Sequence, residues 1–271
     1  MKKCLLLAKK YLLLACLTLI LLSGCGQFDS EFSLDSSDSP GAEIIERGAI
    51  LVGVKVDAPR MSSLIPESNE FEGFEVDVAK LLGEKIFGDA NKTCIKPVTP
   101  QNRIDKLNEG WIDCTIGTFT INEDRKKLIH FSEPYYEDHL AFLVRRADRM
   151  TKIEELNGKI AGLAVGTAPT KPLPAMIEER GLNINVVEYP DYPILKGALL
   201  AGDVDAFCTV RAALFGYVDD YTEVMEEAFN PIQYGIALKL GNQQLWDYLN
   251  NFVTKLQSDG TLDQLKQKWN V

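Results

Sequence analysis

The sequence predicts an α/β protein of two lobes, and three observations carry that expectation. Short β-rich runs alternate with helically spaced apolar residues, as in parallel sheets with crossover helices. The succession then begins again in the second half of the chain. A six-residue pattern also recurs at the same place in each half, as Glu109-Gly110-Trp111-Ile112-Asp113-Cys114 and as Ala201-Gly202-Asp203-Val204-Asp205-Ala206. Each reads as a helix end, a glycine, one further residue, Ile or Val, Asp, and a strand. Two similar lobes, rather than one sheet, follow from this reading.

Taken in order, residues 50–56 form a β-rich run that ends at the turn-forming Asp57-Ala58-Pro59. The continuous apolar stretch Ile50-Leu51-Val52-Gly53-Val54 suits a strand buried on both faces. Phe74, Val78, Leu81, Leu82 and Ile86 recur at helical spacing. Residues 93–98 read as a strand, 103–109 as a short helix and 113–117 as a strand. In the second half, 160–165 is a strand, 173–179 a helix, 185–187 a strand, 194–200 a helix and 206–208 a strand. After Tyr234-Gly235-Ile236-Ala237-Leu238 the spacing predicts a helix over Gln243–Ser258. Thr261 with Gln264 then has the pattern of a capping box, opening a last helix with Leu262, Leu265 and Trp269 on one face. These two helices have no place in the second lobe and are expected to pack on the first.

Of the 271 residues, 46% are hydrophobic and 25% charged, enough for one large domain or two of roughly 100–150 residues. The composition is that of a folded globular protein and argues against collagen, coiled-coil and disordered classes. A formal charge of -10 argues against a nucleic-acid partner, because phosphate binding needs a cationic footprint. The two histidines, His130 and His139, lack ligand spacing, so neither a metal nor a cofactor is expected. No nucleophile, base and acid stand together, and Gly166-Thr167 lacks the spaced glycines and lysine of a phosphate loop. An enzyme is therefore not the expected class.

The N-terminus differs from the rest. Residues 1–24 hold four of the 29 basic side chains, none of the 39 acidic ones, and the apolar run 11–22. That is the pattern of an export signal; a permanent membrane helix needs about 20 apolar residues. Leu22-Ser23-Gly24-Cys25 resembles the lipobox of bacterial lipoproteins, which implies cleavage after Gly24 and acylation of Cys25. The alternative is an unmodified export signal with a chance cysteine. Cleavage would leave 247 residues with a formal charge of -14. Residues 25–42, rich in Ser and Asp, read as a solvated tether with no helical role. Cys94, Cys114 and Cys208 are expected to be buried free thiols rather than disulfides.

Ligands of open parallel sheets bind beyond the carboxyl ends of the strands. Lys55 ends the first strand, Arg103 opens the helix after the second, and Arg125 follows the third. Thr118 and Thr120 lie at the same edge. Three cations and two hydroxyls converging there suit a small anion with more than one carboxylate, since the arginine fork binds carboxylates bidentately.

Several motifs resemble the bacterial extracellular solute-binding proteins of family 3, the polar-amino-acid receptors of ABC importers. They are Gly73-Phe74-Glu75-Val76-Asp77-Val78-Ala79, the run from Thr118-Phe119-Thr120 to Arg125, Phe131-Ser132-Glu133-Pro134-Tyr135-Tyr136, and Asp259-Gly260-Thr261. The resemblance spans about Glu43 to the C-terminus and implies a two-lobed, periplasmic-binding-protein-like (type II) fold with a ligand cleft between the lobes. Lobe I would comprise residues 43–143 and 235–271, lobe II residues 144–234. Crossings would lie at residues 140–144 and near Tyr234. Val52-Gly53-Val54-Lys55-Val56-Asp57 and Glu188-Tyr189-Pro190-Asp191-Tyr192-Pro193 are similar to the aspartate/glutamate-binding branch.

That resemblance implies roles for individual residues. Arg125 would clamp an α-carboxylate beside Thr118 and Thr120, and Lys55 and Arg103 would hold a side-chain carboxylate. Tyr192 and Tyr234 would complete the pocket, and Thr167 would present hydroxyl and N–H groups. Two departures stand out. Val210 occupies the position at which the family places an aspartate for the ligand's ammonium, and Pro169 sits where a second Thr or Ser is usual. The chain thus keeps the acid-binding residues and loses the amine-binding one. A dicarboxylate without an α-amino group is one reading. Ordinary glutamate or aspartate, its ammonium held by Thr118, Thr120, a carbonyl or a neighbouring acid, is the other, and a further polar amino acid such as glutamine is a third. The implied partners are a membrane permease with its ATPase subunits, the membrane itself through the anchor on the extracytoplasmic face, and no second protomer. An enzyme, or an adhesin or sensor, on the same fold is the competing class.

Overall fold

The computed structural model describes residues 40–271. The expected export signal, the acylation at Cys25 and the tether up to residue 39 lie outside the described residues. The elements run α1 (Pro40–Arg47), β1 (Ile50–Val54), β2 (Asp57–Ala58), β3 (Ser62–Ile65), β4 (Glu70–Glu72), α2 (Phe74–Phe87), β5 (Thr93–Pro97), α3 (Arg103–Asn108), β6 (Cys114–Thr115), α4 (Glu123–Lys126) and β7 (Ile129–Arg145). There follow β8 (Ile160–Ala164), α5 (Pro172–Glu179), β9 (Asn185–Tyr189), α6 (Tyr192–Ala201), β10 (Ala206–Val210), α7 (Arg211–Leu214), β11 (Thr222–Val224), β12 (Phe229–Lys239), α8 (Gln243–Ser258) and α9 (Thr261–Trp269).

The main sheet has the order β5-β1-β6-β12-β7-β10-β8-β9, with β11 on β7. β1 pairs in parallel with β5 and β6, and β8 in parallel with β9 and β10. Between these two parallel triplets, β12 and β7 are antiparallel to their neighbours. The two α/β halves read from the sequence are present, but the hydrogen-bonded ladder is continuous, which corrects the expectation of separate sheets. The reason is length. The 17 residues of β7 extend ~55 Å at about 3.4 Å each, so the strand pairs with β12 along one half and with β10 at Leu140–Val144 in the other.

The sequence echo is a structural echo. Asp113 accepts a hydrogen bond from Leu51 N (2.7 Å), and Asp205 accepts one from Ile160 N (3.0 Å). Each aspartate thus ties the strand it precedes to the start of the adjacent parallel strand. Each also faces an arginine, Arg47 for Asp113 and Arg145 for Asp205. Gly110 and Gly202 take φ of 71° and 87°, the left-handed conformation that ends a helix without a Cβ clash. Ile112 and Val204, between glycine and aspartate, are both 1% exposed.

Several local expectations need correction. Residues 40–42 belong to α1, whose Ile44 is buried, so the tether ends before the helix. Asp57-Ala58 is not only a turn: it is an edge of a small antiparallel sheet, β2-β3-β4. Gly260, not Thr261, caps α9, and Asp259 accepts the Thr261 N–H (2.9 Å), so the capping box does not form. Cys114 and Cys208 are buried free thiols, but Cys94 is exposed. The C-terminal helices do pack on the first half of the sheet. Trp246 Nε1 donates to Phe131 O on β7 (2.6 Å), and Trp269 Nε1 donates to Asp77 on α2 (2.7 Å). Among the described residues no helix is long and apolar enough to cross a membrane.

Candidate functional site

The two parallel triplets run in opposite directions, because three antiparallel pairings separate them. Their carboxyl ends therefore face each other, and the residues singled out above lie just past those ends. Lys55 follows β1, Thr118 follows β6, Thr167 follows β8, Tyr192 follows β9, and Val210 closes β10. Arg103 is the first residue of α3, in the crossover that leaves β5. Lys55, Pro100, Arg103, Thr118, Thr167, Ala168, Tyr192 and Val210 line one small, narrow cavity. Six of the nine predicted ligand contacts are therefore brought together.

The two cations in this cavity are deeply buried, Lys55 at 1% and Arg103 at 2% exposure. Lys55 Nζ stands 3.7 Å from the centre of the Tyr192 ring and 3.1 Å from Asp57 Oδ1. The approach to Asp57 is within ion-pair distance but not aligned as a hydrogen bond, and Nζ has no hydrogen-bond partner among the described residues. Arg103 stacks on Phe119 at 3.5 Å, and its Nη1 donates to Gly117 O (2.9 Å) while Nε has no partner there. Burial, and then the charge of Arg125, lowers the proton affinity of Arg103 well below the ordinary value. Tyr192 exchanges a hydrogen bond with Thr209 (2.7 Å).

Arg125 and Thr120 stand next to this cavity, on a wide groove that also reaches Thr167. Arg125 donates to Thr120 O (2.7 Å) and across the cleft to Gly166 O (3.2 Å), and burial lowers its pKa to about 10. Thr120 Oγ1 is buried without a partner among the described residues. The Thr167 hydroxyl donates to Ala164 O (2.5 Å). Tyr234 lines neither space; its hydroxyl donates to Asp138 (2.5 Å) and its ring stacks on Tyr136. Arg60 donates to Asn270 O and Arg211 lies over Phe215, so neither reaches the cavity.

Other contacts also join the two halves across the cleft. Gln101 donates to Val165 O and Pro190 O, Tyr217 donates to Asp57 O, and Lys171 pairs with Asp124.

Two buried acids that position candidate-site residues escaped the sequence reading. Glu75 is fully buried, and its Oε1 accepts the Thr118 N–H (2.5 Å) and the Tyr135 hydroxyl (2.6 Å), while Oε2 accepts Ser62 Oγ (3.0 Å). Thr118 has φ of 46°, a conformation costly for a β-branched residue. The Glu75 carboxylate holds it, and with it the Gly117 carbonyl that orients Arg103. The signal was available, because Glu75 shares the apolar face of α2 with Val78, Ala79 and Leu82. Asp138 is the second such residue. It accepts from Tyr234, from Ala212 N (3.0 Å) and from His139 N (2.7 Å), and so pins the start of α7 to β7.

A sequence model of the bacterial extracellular solute-binding proteins, family 3, matches residues 50–271. The chain belongs to this family. It is 34% identical over 261 residues to the ABC transporter glutamine-binding protein GlnH of Bacillus subtilis, covering 95% of this chain and 94% of that protein. It is 31% identical over 261 residues to the glutamate-binding protein GluB of Corynebacterium glutamicum, covering 91% and 84%. An ancestral arginine-binding protein, solved with arginine bound, superposes with a TM-score of 0.73 at 30% identity, over 82% of this chain and 98% of that one. The fold is that of two-lobed amino-acid-binding proteins, and the family member described here is the substrate-binding component of an amino-acid ABC importer, acting outside the cytoplasm. Its curated relatives are transport binding proteins rather than enzymes.

Proposed function

We propose that this family member captures a small acidic solute, glutamate, aspartate or a related dicarboxylate, and presents it to a permease. The observation that carries the reading is the pair of buried cations, Lys55 and Arg103, around one small cavity. Among the described residues Arg103 Nε is unpartnered and Lys55 Nζ has no hydrogen bond, its one ion-pair partner being Asp57. Burying a cation is costly unless an anion or several acceptors receive it. A carboxylate would supply both, offsetting the burial and the Arg125 charge that lower the proton affinity of Arg103. Arg125, at the mouth of the same cleft, is the proposed clamp for a second carboxylate, with Thr120 and Thr167 beside it.

In this reading, lobe I (43–143 and 235–271) and lobe II (144–234) close on the ligand about the crossings in β7 and β12. Differential affinity for the closed form drives the closure. The mature protein is a monomer held at the membrane by acylated Cys25, with the ABC permease and its ATPase subunits as partners. The likeness to GlnH supports a second reading, glutamine as the ligand.

Calorimetric titration of the full chain with glutamate, aspartate, glutarate, glutamine and arginine separates these readings. Acids are expected to bind at least ~10-fold tighter than glutamine, about 1.4 kcal/mol. Arg125→Ala is expected to weaken them ~10- to 100-fold, the worth of a charge-assisted hydrogen-bonded pair. Tighter binding of glutamine would remove the acidic-solute reading.

A further inference from the structure

We infer that the ligand is a dicarboxylate without an α-ammonium group, a proposal that rests on the acidic-solute reading above. An ammonium closed into protein needs up to three acceptors and a nearby negative charge. The lining of the small cavity holds two cations and no carboxylate. The acids of the adjoining Arg125 groove are engaged, Glu123 by Lys126, Asp124 by Lys127 and Lys171, and Glu137 by Gln233. At the end of β10 the wall of the small cavity is the side chain of Val210, 1% exposed.

Each nearby carboxylate that could receive an ammonium is already committed, and the one buried hydroxyl oxygen without a partner among the described residues, Thr120 Oγ1, carries no charge. Glu75 accepts from Thr118, Tyr135 and Ser62 and is fully buried on the far side of the Thr118 backbone. Asp138 accepts from Tyr234, Ala212 and His139. Asp57 faces Lys55 at 3.1 Å. Five backbone carbonyls around the two spaces are taken as well, three of them by guanidinium groups. Gly117 O receives Arg103, while Thr120 O and Gly166 O receive Arg125. Ala164 O and Thr167 O receive the hydroxyls of Thr167 and Thr170. What faces the cavity is therefore donors, neutral hydroxyls and an apolar wall. An ammonium here would lie beside Lys55 and Arg103 with no anion of its own. A methylene or carbonyl group of an amine-free diacid would meet Val210 without that conflict.

The test uses matched pairs on the full chain by calorimetry: succinate against aspartate, and glutarate and 2-oxoglutarate against glutamate. In at least one pair the amine-free acid is expected to bind ~10-fold or more tightly than its amino counterpart, from the uncompensated charge alone. Equal or tighter binding of the amino acid in both pairs overturns this inference and leaves the acidic-solute reading standing. Binding of glutamine or arginine with no acid bound overturns both. Val210→Asp is expected to reverse the preference toward the amino member, with Val210→Asn as the uncharged control that lacks the reversal. Circular dichroism establishes that both are folded, and an unchanged preference in a folded Val210→Asp protein also counts against the proposal.

Discussion

Glu75 shows how much a single side chain decides. A glutamate in the first turn of a helix reads as a solvated partner of the helix dipole, yet here it is fully buried beneath the ligand cavity, under the backbone of Thr118. Burial raises its pKa above the ordinary 4.5, against the lowering effect of the hydrogen bonds from Tyr135, Thr118 and Ser62. The folded protein therefore holds that proton more tightly than the unfolded chain does. The slope of stability with pH follows the difference in bound protons, so Glu75 makes folding less favourable as pH rises from 4.5 through its folded pKa. Glu75→Gln keeps an oxygen for Thr118 and Tyr135, and the Ser62 hydroxyl can turn to accept from the amide. Its stability relative to the parent is expected to rise with pH over that window. Urea unfolding at a series of pH values measures this, and a pH-independent difference would mean that the carboxylate ionises alike in both states.

At the scale of elements, the repeated aspartate explains why two six-residue stretches look alike. Asp113 and Asp205 stand at equivalent places before β6 and β10 and accept from the first turns of β1 and β8. Asp113→Ala and Asp205→Ala are each expected to cost about 1–3 kcal/mol, the penalty for leaving a strand N–H without its acceptor. Equilibrium denaturation of both single variants checks the claim, and a negligible loss in either would show that the echo is incidental there. Regular elements were legible because they repeat a physical pattern. The 3.6-residue period marked α2 and α8, and unbroken apolar runs marked β1 and β8. The length of β7 was not legible. Its first half alternates buried and exposed residues while Leu140–Val144 is buried throughout, so no one period describes it.

At the scale of the whole molecule, the two halves meet closely at Gly216. A Cβ there would come within 2.4 Å of Pro59 O, a backbone atom of the opposite half. Gly216→Ala must therefore push the halves apart, because a backbone carbonyl cannot swing aside as a side chain does. Ligand affinity is expected to fall ~10-fold, about 1.4 kcal/mol, while each half keeps its own core and the thermal midpoint without ligand changes little. Titration and thermal unfolding of the variant test this together; unchanged affinity would show that closure does not bring Gly216 against Pro59.

What the sequence determined by itself was chemical and periodic. Alternating patterns specified two α/β halves, and the residue types past the strand ends marked a cationic edge with Lys55, Arg103 and Arg125. Val210 was marked only by the family resemblance, which implies an aspartate at that position. Only the tertiary structure decided which of these share one cavity, because that depends on where crossovers return the chain. It placed Lys55 and Arg103 against Tyr192 and Val210, left Arg125 at the mouth, and turned Tyr234 toward Asp138. It also showed that the buried acids Glu75 and Asp138 are already engaged, a fact of hydrogen-bond geometry that no linear pattern encodes.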